Sequence, residues 1–142
     1  MATEILINDG GAPARVLPIL NGTTAIEAGT YVDIHTDGTL KIFVDDQKDG
    51  TSKAQACGVG VLLSDAAAGA MGSVISGRGI ICNVQAASGV AIGDNVCIDN
   101  AGKVETQYSA ETDRAVGVAL LATFAGTDSG GNATNFAKVL LF

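Results

Sequence analysis

The stretch Gly29-Thr-Tyr-Val-Asp-Ile-His-Thr-Asp-Gly-Thr-Leu40 decides the fold of this chain of 142 residues. From Thr30 to His35 it alternates apolar and polar residues, which is typical of a half-buried strand. Asp37-Gly38 then gives the signal of a hairpin turn, and Leu40-Lys-Ile-Phe-Val44 returns as a second strand. The stretch therefore predicts a β-hairpin.

The same pattern recurs 64 residues further along the chain. The matched pairs are Gly29 with Gly93, Val32 with Val96, Ile34 with Ile98, Gly38 with Gly102, and Leu40 with Val104. At a shift of 59, Gly58-Val59 then falls on Gly117-Val118. A turn glycine, a strand, a hairpin and a returning strand that occur twice predict two similar halves.

The rest of the chain gives mostly strand signals as well. Short apolar runs alternate with turn residues at intervals typical of sandwiches and barrels. They include 57–63, 72–76, 79–85, 95–99, 116–121 and 136–142. We therefore predict an all-β fold, a small β-barrel or β-roll with two similar hairpin-containing halves. Residues 15–142 form the single β-rich domain, and residues 1–14 form an extended N-terminal arm.

Composition and charge narrow the classes of function. Eight basic and fifteen acidic residues give a net charge of −7, which disfavours nucleic acid and anionic membrane surfaces as partners. Aromatic residues make up only 4% of the chain, whereas hydrophobic residues make up 47%. Pockets for small molecules are usually lined by aromatic side chains, so the apolar surplus favours interfaces between subunits.

The arm begins with a short β-prone run, Thr3-Glu4-Ile5-Leu6-Ile7. The turn formers and breakers Asn8-Asp9-Gly10-Gly11-Ala12-Pro13 follow it. An apolar run before such a hinge is either a strand added to its own sheet or an arm for a partner. The local sequence leaves both alternatives open.

Candidate catalytic and metal-binding residues are few. His35 is the single histidine and stands between Asp33 and Asp37, an arrangement that could orient a base or bind a metal. Turn chemistry and a solvated strand face explain the same residues. The loop 45–56 begins like a calcium loop, but Ala56 replaces the closing glutamate. We predict no catalytic residues, no metal site and no cofactor.

The three cysteines, Cys57, Cys82 and Cys97, match no zinc or redox spacing, so we expect reduced, buried thiols. The first residues lack the charged and apolar regions of a signal peptide. Both features predict a protein assembled inside a cell.

Several stretches resemble the cement, or head decoration, proteins of tailed bacteriophages. The opening Met1 to Arg15 is similar to the start of those proteins. So are the stretch Val90-Ala-Ile-Gly-Asp-Asn-Val-Cys-Ile-Asp-Asn-Ala-Gly-Lys-Val104 and the strand Ala115-Val-Gly-Val-Ala-Leu120. The chain departs from the family pattern in its long first half, in the loop 45–56 and in the Gly-rich insertion 126–135.

The resemblance implies a β-rich homotrimer on the outer surface of an icosahedral head, assembled in the host cytoplasm. Its partner would be the major capsid protein, whose neighbouring subunits it would bridge. The resemblance also implies that Thr3, Glu4, Ile5, Leu6 and Ile7 add to a capsid strand through backbone hydrogen bonds. Two alternatives stay open: a tail or fibre module, and a small metal-dependent enzyme that uses His35.

Overall fold

A computed structural model describes residues 2–8, 15–35, 37–42, 58–87, 89–99, 101–107 and 115–142. The described residues form twelve strands and no helix, which confirms the all-β prediction. The strands are β1 (Leu6–Asn8), β2 (Arg15–Leu20), β3 (Tyr31–Ile34), β4 (Leu40–Ile42), β5 (Gly60–Leu62), β6 (Met71–Ser76), β7 (Ile81–Gln85), β8 (Asn95–Ile98), β9 (Val104–Thr106), β10 (Gly117–Ala119), β11 (Phe124–Thr127) and β12 (Ala133–Leu141).

The strands form two antiparallel sheets. The five-stranded sheet has the order β2-β6-β5-β3-β4. The seven-stranded sheet has the order β1-β7-β12-β10-β8-β9, and β11 pairs with β12 beside this path. The described strands thus form two sheets without a closed barrel. The predicted insertion at 126–135 lies in the β11–β12 hairpin.

The two sheets repeat one topology, and this repeat confirms the two predicted halves. The first half is β2 to β6, and the second half is β7 to β12. In chain order, β2, β3, β4, β5 and β6 take the places of β7, β8, β9, β10 and β12. The second half adds β11, and β1 joins its outer edge.

Strand registers define the equivalent positions. The hairpin pair Ile34↔Leu40 recurs as Ile98↔Val104, 64 residues later, as the sequence predicts. The shift of 59 for the next strand is wrong by two residues. Val32 pairs with Gly60 as its counterpart Val96 pairs with Gly117, so β5 and β10 are related by a shift of 57. The pairs Val61↔Ile75 and Val118↔Leu140 then relate β6 and β12 by a shift of 65. Gly58-Val59-Gly60-Val61 contains the same dipeptide twice, and only pairing with the neighbouring strands distinguishes the two copies.

Two apolar clusters form the interior. One lies within the first half and contains Ile26, Val32, Leu40, Leu62, Ala66 and Val74. The larger cluster includes second-half residues such as Val96, Val104 and Val139, together with Ile5 and the first-half residues Tyr31, Val61 and Ile75. The Val61–Ile75 face of the five-stranded sheet therefore belongs to the larger cluster.

Candidate functional site

The N-terminal segment, residues 2–8, is held in the protein's own sheet. Thr3 N–H donates to Thr127 O at 2.8 Å, and Thr127 N–H donates to Thr3 Oγ1 at 2.9 Å. Further on, Asn83 N–H donates to Ile5 O, and Asn83 Nδ2 donates to Glu4 O, both at 2.8 Å. Ile5 is buried in the larger apolar cluster. The sequence leaves two alternatives open for this segment. In the structure of the single chain, the segment adds a strand to the protein's own sheet.

Within the described part of the chain, the outer side of β1 is an open edge. β1 stands at the end of the sheet path, and β7 is its only strand partner among the described residues. Since Ile5 O accepts from Asn83, the backbone of Ile5 faces β7. In an antiparallel ladder the next residue faces the other way, so Leu6 directs its N–H and C=O outward. A bulge follows between Leu6 and Asn8.

The five predicted arm residues differ in accessibility. Ile5 is buried, Thr3 and Leu6 are half-buried, and Glu4 and Ile7 are exposed. A partner strand that pairs with the open edge would thus meet Leu6 and Ile7 rather than Ile5. The rest of the predicted arm, residues 9–14, lies outside the described residues.

The structure brings together two of the three residues proposed for metal binding or catalysis. His35 Nδ1 lies 3.3 Å from Asp37 Oδ1, and both side chains are more than half exposed. Asp33 Oδ1 instead accepts a hydrogen bond from the N–H of Ile34. Asp37 accepts bonds from Thr39 Oγ1 at 2.6 Å and Thr39 N–H at 2.9 Å. These bonds from Thr39 lower the pKa of the Asp37 carboxyl below its ordinary value.

The equivalent turn of the second half shows which contacts belong to the hairpin turn itself. In the β3–β4 turn, His35 N–H donates to Thr39 O at 2.7 Å. In the equivalent turn, Asp99 N–H donates to Lys103 O at 2.8 Å, and Asp99 Oδ1 also accepts from two backbone N–H groups. The two turns share one backbone geometry, although His35 is replaced by an aspartate. The contacts of His35 and Asp37 are therefore those of a hairpin turn.

Among the described residues, the cysteines and the other possible metal ligands give no site either. Burial raises the pKa of the Cys82 thiol to about 12, so this cysteine is not a thiolate nucleophile at neutral pH. Cys97 is also buried. No group of three His, Cys, Asp or Glu residues that could bind a metal occurs within the described residues. The calcium-like loop 45–56 and Cys57 lie outside them.

The described part of the chain contains no helix that is long and apolar enough to cross a membrane.

Comparison with known proteins adds no family: no protein-family model matches the chain, and no curated protein matches it.

Sequence reasoning missed Asn83, which binds the N-terminal segment through both its backbone and its side chain. Its position in the repeat could have indicated it. The equivalent residue in the first half is Pro18, because Pro18↔Ser73 takes the place of Asn83↔Lys138. Asn83 supplies an N–H at a sheet edge where Pro18 supplies none.

Proposed function

We propose that this protein is a structural component of a virion, a cement protein on the head of a tailed bacteriophage. It binds the outer capsid surface as a homotrimer and bridges neighbouring major capsid subunits, which stabilises the DNA-filled head. The resemblance of residues 1–15, 90–104 and 115–120 to that family supports the proposal. The open edge of β1, formed by the N-terminal part of that resemblance, is the observation that carries it.

The mechanism that fits this edge is strand addition. A capsid strand pairs with β1 and extends the seven-stranded sheet, while the backbone N–H and C=O of Leu6 supply hydrogen bonds. Ile5 stays in the core and holds β1 in place. The arm therefore acts as a preformed edge, which avoids the entropic cost of ordering a free peptide at the moment of binding.

Three such edges on one trimer act together. Once one edge is bound, the other two meet their capsid strands at high effective concentration, so weak single contacts give firm attachment. The net charge of −7 keeps unbound trimers apart in solution.

The test is sedimentation with phage heads that lack the cement protein. Leu6→Pro removes the outward N–H of β1, whereas the matched control Leu6→Ala loses the side chain and keeps this N–H. A lost backbone hydrogen bond costs about 0.5–1.5 kcal/mol at each of three edges, so we expect Leu6→Pro to weaken attachment at least tenfold relative to Leu6→Ala. Circular dichroism checks that both variants remain folded.

Each outcome separates the alternatives. Equal attachment of Leu6→Pro and Leu6→Ala would contradict strand addition. Failure of the unmodified protein to bind heads would contradict the cement function, and binding to isolated tails instead would favour a tail module. An activity or metal affinity that His35→Ala abolishes would favour the enzyme.

A further inference from the structure

The first half has an apolar strip that nothing in the described chain covers. We define the strip as Val16, Pro18, Leu20 and Met71. The register pairs Val16 with Ile75 and Leu20 with Met71, and directly paired residues share one face of a sheet. The strip therefore continues the buried Ile75 face out to the sheet edge, where Val16 is 47%, Leu20 46% and Met71 64% exposed.

The same surface of the second half is covered. The counterparts of Leu20 and Met71 are Gln85 and Phe136, which pair with each other and are both buried. The cover consists of the N-terminal segment and the loop before β3. Gln85 N–H donates to Gly29 O at 2.8 Å, and Gln85 Nε2 donates to Ala28 O at 3.0 Å.

An added strand like β1 does not suit the first half. Asn21 N–H donates to Ala70 O, so residues 16, 18 and 20 of β2 direct their backbone groups to the open edge. Pro18 has no N–H at the position where Asn83 bonds the N-terminal segment. What covers the strip must therefore pack on its side chains rather than pair with its edge.

Charge indicates what can pack there. The segments 10–26 and 66–93, which contain β2 and β6, have no acidic residue and include only Arg15 and Arg78 as charges. The whole chain nevertheless carries −7. A second copy of this acidic protein can therefore place its own β2 and β6 against the strip without bringing carboxylates of these two strands together.

We propose that copies of this chain associate through the strip, so that Val16, Leu20 and Met71 of each copy pack around the symmetry axis. Residues near a rotation axis meet their own counterparts, and one apolar strip per chain is then sufficient to form the contact. The inference deepens the proposed function, since it names the surface that forms the proposed trimer. The strip also leaves the β1 edge, on the other sheet, free for the capsid.

The test is sedimentation velocity of the full chain without phage heads. We expect the unmodified protein to sediment as a species with three times the chain mass of 14.2 kDa. The double variant Leu20→Glu/Met71→Glu places carboxylates on the axis and is expected to weaken association at least 100-fold. The control Ile92→Glu makes the same change at a 68% exposed apolar residue outside the strip and leaves the mass unchanged.

A second measurement detects the contact without weakening the association of the chains. Met71→Cys should form a covalent dimer under mild oxidation, whereas Ile92→Cys, with the same native cysteines, should not. A monomeric unmodified protein, or dissociation by Ile92→Glu but not by the double variant, would overturn the inference.

The head-sedimentation test separates the two proposals. Monomers that still bind heads would overturn association through the strip, and the trimer with it, but would leave attachment to the capsid standing. Suppose that the unmodified protein is a trimer, that the double variant dissociates, and that the trimer never binds heads. This outcome would support association through the strip and contradict the cement function. If the strip is instead the capsid contact, the double variant stays trimeric and loses head binding, which also overturns the inference.

Discussion

The two halves of the molecule have the same strand order and registers but differ in what covers the sheet surface beside their edge strands, β2 and β7. Phe136 in the second half is 1% exposed, and its counterpart Met71 in the first half is 64% exposed. The difference arises at the sheet edge, where Asn83 binds the N-terminal segment and Pro18 cannot. Topology and surface are thus determined separately: the repeated hairpins give the topology, and a few edge residues decide which half is covered within the chain.

The largest expected effect compares these two counterparts. Phe136→Ala removes a buried ring and should cost about 3–5 kcal/mol of stability. Met71→Ala should change stability by less than about 0.5 kcal/mol at a protein concentration where the chain is monomeric. Urea denaturation measures both, and equal losses would contradict the difference in cover.

The N-terminal segment provides the next comparison. Ile5→Ala should cost about 2–5 kcal/mol, because Ile5 lies in the larger cluster. Ile7→Ala, in the same N-terminal segment, should cost less than about 1 kcal/mol, since Ile7 is exposed. Deletion of residues 1–14 should therefore lower stability. An Ile5→Ala variant as stable as Ile7→Ala would show that the segment does not pack as described.

Two glycines test the equivalence of the halves directly. A Cβ at Gly60 would collide with Ile75 O, and a Cβ at Gly117 would collide with Leu140 O. Gly60→Ala and Gly117→Ala should each cost about 1–3 kcal/mol through backbone displacement. The control Gly130→Ala, at an exposed turn where the Cβ would meet only side chains, should cost less. If one of the two substitutions left stability unchanged, Gly60 and Gly117 would not be equivalent positions, which would contradict the shift of 57.

The smallest effect concerns the two hairpin turns. Because the folded-state pKa of Asp37 is lowered, its contribution to stability is present above the ordinary value of 3.8 and is lost as the pH falls through the folded value. Thr39→Val removes the hydroxyl donor, so its Asp37 carboxyl should titrate closer to 3.8 by NMR. Thr24→Val, outside the turn, should leave the titration unchanged. The second half has Ala101 in place of Asp37 and lacks this titration.

Much of the fold could be predicted from local patterns. Alternation around Tyr31–Ile34 and the Asp37-Gly38 signal predicted the first hairpin, and its repeat predicted the second with the correct shift. The shift of the next strand was wrong because Gly58-Val59 and Gly60-Val61 are identical dipeptides. Their assignment depends on which valine pairs with Ile75, a contact between residues distant in sequence.

The candidate site was less predictable. The sequence could not decide whether Ile5 enters a core, since the answer depends on Asn83, Thr127 and the space beside Phe136. The proposed His35 site was suggested by a strand pattern that continues through His35. The strand in fact ends at Ile34, and the Asp37 carboxylate accepts the hydrogen bonds of Thr39 within the turn.

The most direct test of the account is an electron cryomicroscopy reconstruction of phage heads incubated with the protein. The account predicts trimers on the outer surface, with Met71 beside the three-fold axis and a capsid strand paired with β1. Bound trimers whose β1 edge faces solvent, or whose Met71 lies away from the axis, would contradict it.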